Sequence, residues 1–114
     1  MRIFIISFHV RRMDNSIMPV EHSNAYVTCY STGNNYTDAT EKALSNLVTD
    51  GIYPEEILQP IYEMDSVDWM QHVSDKWPDL VNSMPNQVNF ESAMKRGEVV
   101  YGPFGLYNTE KIKE

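Results

Sequence analysis

Three histidines, one cysteine and sixteen carboxylates are the side chains of this 114-residue chain best suited to chemistry. His9, His22 and His72 stand more than ten residues apart, and only His22 has an adjacent acid, Glu21. Zinc sites usually group ligands about two to five residues apart, so that one local turn presents two of them. No such pair occurs, and neither a metal nor another cofactor is expected. Cys29 alternates with Ala25 and Val27, which makes it a small core hydrophobe rather than a thiolate. Alone, it cannot form an internal disulfide. No serine lies in a G-x-S-x-G setting. Glu55-Glu56 and Glu63-x-Asp65 pair carboxylates, but a general acid needs burial to raise its pKa, and acids this dense are normally exposed. No catalytic residue is assigned, and an enzyme is the less expected outcome.

The carboxylates carry a different signal. Nine Lys and Arg against sixteen Asp and Glu give a formal charge of −7. Between Asp50 and Asp79 lie eight acids and a single base, Lys76, whereas the rest of the chain balances eight acids with eight bases. Such asymmetry creates a field that steers a cationic partner. It also argues against non-specific binding of nucleic acid or an anionic membrane, which require positive surface. Arg96-Gly97-Glu98-Val99-Val100-Tyr101 opens like an RNA-recognition strand, but Glu98 stands where a stacking aromatic belongs.

Aromatic residues and Met70 interleave with the acids, as they do in interface centres. The first expectation is therefore a non-catalytic protein-binding module, such as an inhibitor or immunity/antitoxin-like protein that docks a basic protein partner. Its contact residues would be Glu55, Glu56, Glu63, Asp65, Asp68, Trp69, Asp75 and Asp79. The alternative is a small-molecule-binding or enzymatic domain whose pocket lies between sheet and helices. His9, Arg11, His22, Tyr26 and Tyr30 would line it. A homo-oligomer using exposed Trp and Met is a third reading.

These side chains need elements to position them. Arg2 to Val10 alternates as a strand, apolar on both faces and hence central. Arg11 to Ser23 reads as a loop, and Asn24 to Ser31 as a second strand, antiparallel to the first. A turn through Gly33-Asn34-Asn35 precedes a helix starting near Thr37 or Asp38. Ala39, Ala43, Leu44, Leu47 and Val48 form its buried stripe, and Gly51 stops it. Tyr53-Pro54-Glu55-Glu56 reads as a turn or one helical turn with proline first, and Ile57 to Met64 as a third strand that Pro60 demotes to an edge or a bulge. Asp65-Ser66 caps a second helix that Pro78 ends or kinks. A loop from Val81 to Gln87, a third helix from Val88 or Asn89 to Arg96 and a fourth strand from Glu98 to Tyr101 follow. The tail from Asn108 is expected to fray.

Gly33-x-x-Tyr36-x-Asp38-Ala39-x-x-Lys42-Ala43-Leu44, after a strand, resembles the strand-turn-helix of HicB-type antitoxins. It spans twelve residues, without that family's proline-rich lead-in or a following DNA-binding segment. The fold class expected for the single domain 1–114 is α+β. Its form would be a two-layer sandwich with a mostly antiparallel sheet of three or four strands. Two or three helices would pack on one face, in the order β-β-α-β-α-α-β. The longest apolar stretch, Ile3 to Ile6, is far short of a membrane span or signal-peptide core, so the cytoplasm is the expected location.

Overall fold

The first strand, β1 (Arg2–Arg12), is the axis of the fold. It pairs antiparallel with β2 (Asn24–Ser31) on one side and with β3 (Ile52–Asp65) on the other. In a computed structural model describing residues 1–18 and 23–107, the strand order is β3-β1-β2-β4. Two short strands, β4 (Val100–Tyr101) and β5 (Gly105–Tyr107), both lie antiparallel along the outer side of β2. The class, the antiparallel sheet and the element order are those expected. The expected frayed tail, like His22, lies outside the described residues.

Helices lie on both faces of the sheet, which corrects the one-face arrangement. The reason is in β1: Phe4, Ile6, Phe8 and Val10 make one row apolar, and Ile3 and Ile5 put apolar residues on the other, so both faces need cover. Phe4, Ile6, Phe8 and Val10 join Ala25, Val27 and Cys29 in a core closed by Ala39, Ala43 and Leu47 of α1 (Tyr36–Thr49). On the opposite face, Ile3, Ile5 and Tyr30 pack beneath α2 (Trp69–Lys76) and α3 (Gln87–Lys95). Trp69, Val73, Phe90, Ala93 and Met94 make that second core.

Helix α1 begins earlier than the sequence indicates. Its cap is Asn35, whose Oδ1 accepts the Asp38 N–H at 3.0 Å, and Asp38 Oδ2 accepts the Asn34 N–H at 3.3 Å. The first bond satisfies an amide donor that the first turn leaves open, and the second ties the residue before the cap to that turn. Val48 is exposed rather than part of the stripe. Gly51 adopts φ +75° after the helix, and a Cβ there would meet Ser16 Cα at 2.6 Å, so glycine is required twice over.

Strand β3 is longer than expected and includes the Tyr53-Pro54-Glu55-Glu56 segment read as a turn. It is an edge strand, where a missing proline donor is tolerated. Two irregularities absorb its prolines. Glu55 is the extra residue between the pairs His9↔Glu56 and Val10↔Pro54, and Gln59, Pro60 and Ile61 together face Ile6. A 3₁₀ turn, Ser66–Asp68, leads from β3 into α2, with Asp65 accepting the Val67 N–H at 3.2 Å. Pro78–Ser83 forms a second 3₁₀ segment, and Asn86 rather than Val88 or Asn89 sets the start of α3.

Candidate functional site

The acids of residues 50–79 occupy two settings. Glu55, Glu56, Glu63 and Asp65 belong to the sheet-edge strand β3, and Asp68, Asp75 and Asp79 to the helical layer that follows. Several of them meet the protein's own cations. Arg11 Nε donates to Glu55 Oε1 at 2.8 Å, Arg2 Nε lies 3.0 Å from Glu63 Oε1, and the N-terminal ammonium lies 3.4 Å from Asp65 Oδ1. The Val67 backbone N–H, helped by that ammonium, holds the Asp65 carboxyl below the usual range. These are exposed pairs, worth roughly 0–1 kcal/mol each.

Five acids of the segment remain outside such pairs among the described residues. Glu56, Asp68 and Asp79 are exposed and form no ion pair among the described residues. Asp75, also exposed, accepts from Gln71 Nε2 at 2.9 Å. Asp50 has an internal role instead, with its Oδ2 accepting the Tyr101 hydroxyl at 2.7 Å and so tying β4 to the end of α1.

Trp69 is not a surface group. Its side chain is fully buried at 0% exposure, stacked on Phe90 with centroids 3.9 Å apart, and its Nε1 donates to the Pro85 carbonyl at 2.8 Å. Its place in the expected contact set is corrected: it is a core residue of the α2–α3 layer. Trp77 is half-buried and meets the Tyr30 ring edge-on.

The histidine and tyrosine set divides. His9 and Tyr26 are cross-strand partners on one face, and their rings stack at 5.1 Å. Arg11 follows His9 on that face and lies 4.4 Å over the Tyr53 ring. Tyr30 points to the same side but is sealed under α2, where its hydroxyl and His72 Nε2 share a hydrogen bond of 2.7 Å. The expected pocket between sheet and helices is filled at Tyr30 by Trp69, Val73 and Phe90. The alternation of β1 and β2 carries the signal for His9, Arg11 and Tyr26. Nothing local in the sequence pairs Tyr30 with His72, which is 42 residues away.

Burial pushes the His72 imidazole below its ordinary pKa, nearby Lys76 lowers it further, and Asp75 opposes the change. Burial likewise pushes the Cys29 thiol and the Tyr30 phenol up. Cys29 is therefore a protonated core thiol at neutral pH. Among the described residues, no group of three His, Cys, Asp or Glu is placed to hold a metal ion.

Cavities open elsewhere, around α1. A groove of about 670 Å³ runs between its polar side and Gly97, lined by Asn34, Asp38, Lys42 and Asn46. Lys42 Nζ is engaged there by Thr32 Oγ1 at 3.0 Å. On the other side, α1 and β3 enclose adjoining hollows of about 360 and 220 Å³ that share Tyr36, Gln59 and Ile61. No protein-family model, curated protein or solved structure matches the chain.

Proposed function

We propose that this chain is a non-catalytic protein-binding module that docks a basic partner through the exposed carboxylates of its 50–79 segment. The observation that carries the reading is charge segregation. Eight acids and one base fall in a run that builds the sheet-edge strand β3 and the α2 layer beside it. Glu56, Asp68, Asp75 and Asp79 stay exposed and outside ion pairs among the described residues. Carboxylates of this kind can stand where phosphates bind, so an inhibitor of a nucleic-acid-binding protein suits the chemistry. A cytoplasmic setting belongs to the same reading, in keeping with the single unoxidised Cys29.

The test uses the purified chain as bait at about 0.05 M salt, with captured proteins identified and then titrated individually. A stoichiometric basic partner is expected, with association slowed roughly ten-fold or more when salt is raised to about 0.5 M. No stoichiometric partner, or one whose binding ignores salt, overturns the reading.

A second reading, small-molecule recognition, draws on the His9–Tyr26 stack and on Arg11 over Tyr53. A ligand on this face would raise the melting temperature in a metabolite screen and lose that effect in Tyr26→Ala.

A further inference from the structure

The adjoining hollows between α1 and β3 differ in character from the rest of the surface. Their floor is apolar: Phe4 is buried, and Ile57 and Ile61 pack against the α1 core. Their wall is Tyr36, a large aromatic side chain left 60% exposed at the first turn of α1. Every charged residue that lines them is an acid, Glu41 on α1 and Glu63 on β3. Glu41 forms no ion pair among the described residues, and Glu63 pairs at 3.0 Å with Arg2, whose side chain is 70% exposed. Such a pair is weak and readily exchanged for a competing cation.

An apolar trough with an aromatic wall and two carboxylates at its rim fits one kind of side chain. A long aliphatic stem lies along the floor, its cationic head reaches the acids, and the ring adds cation–π attraction. We infer that this groove receives an arginine or lysine side chain from the basic partner. The inference rests on the docking reading above and adds to it a specific anchor. Tyr36 and Glu41 lie outside the acidic window, so substitutions there test the anchor while leaving the window's own charge unchanged.

The direct probe is a blocked tripeptide, Ac-Ala-Arg-Ala-amide, titrated against the ¹⁵N-labelled protein, with the norleucine tripeptide as an uncharged control. Saturable amide shifts are expected at Tyr36, Thr40, Ile57 and Ile61. Binding should weaken at least three-fold in Glu41→Gln, in Tyr36→Ala and with norleucine. Tyr36 and Glu41 are both exposed, and unchanged melting temperatures would show that the variants remain folded. Shifts scattered over other carboxylates, no shifts, or equal binding of norleucine overturn the inference. So does a concentration-dependent dimer that Tyr36→Ala abolishes, because a second copy would then fill the groove.

The partner complex separates the two proposals. Tyr36→Ala with Glu41→Gln should weaken it at least five-fold. If the complex forms with its salt dependence intact but ignores these changes, the groove inference fails and the docking reading stands. If the tripeptide binds as expected but no salt-sensitive complex exists, the docking reading fails instead.

Discussion

The Tyr30 hydroxyl, held by His72 beneath α2, links the charge of one imidazole to the packing of an aromatic core. Burial and Lys76 favour the neutral ring, whereas the unfolded chain takes up a proton near the ordinary imidazole value of 6.5. The unfolded state therefore binds more protons below that pH, and stability rises with pH across the window. His72 takes nothing away above 6.5; the loss accrues as pH falls through 6.5 and is complete below the folded value. Urea melts between about pH 7.5 and 5.5 should show this decline, and His72→Gln should flatten it. A slope unchanged in the variant would assign the effect to other groups. Trp69 gives a second prediction at this scale. Truncation to alanine should cost about 3–5 kcal/mol in denaturant melts, as for other large core residues. A surface anchor would leave the melts almost unchanged. The helical spacing around Trp69 does not by itself reveal which sheet face it meets. Cys29 was legible because its strand alternates with a period of two.

Among the elements, α1 was the clearest in the sequence, because a periodic apolar stripe and a terminal glycine agree. Gly51→Ala tests that stop. With φ at +75° and Ser16 Cα 2.6 Å from the added carbon, the change should destabilise by about 1–3 kcal/mol. A shift of the thermal midpoint near zero would contradict it. The front half of β3 was illegible for a physical reason. Pro54-Glu55-Glu56 carries turn chemistry, and only its position at a sheet edge with an extra residue at Glu55 lets it remain a strand. β5 is three residues long, too short for periodicity to register. Placement of helices on both sheet faces follows from the apolar residues on both faces of β1, which a count of elements alone does not reveal.

At the scale of the whole molecule, the decisive property is uneven charge. Its location in residues 50–79 was legible by counting, but the fold alters its composition. Arg11, Arg2 and the N-terminus each pair with one acid of β3, Asp50 turns inward to Tyr101, and Trp69 leaves the surface. On the proposed docking reading, Glu56, Asp68, Asp75 and Asp79, outside ion pairs among the described residues, are the carboxylates that steer the partner. The most direct test measures association rates of the captured basic partner with the wild type and with Glu56→Gln/Asp68→Asn/Asp75→Asn/Asp79→Asn. These neutral replacements keep the side-chain shapes, so each protein should melt at a similar temperature. The account predicts that the variant associates about ten-fold more slowly at low salt and loses most of its salt dependence. Equal rates and equal salt dependence in the two proteins would contradict it.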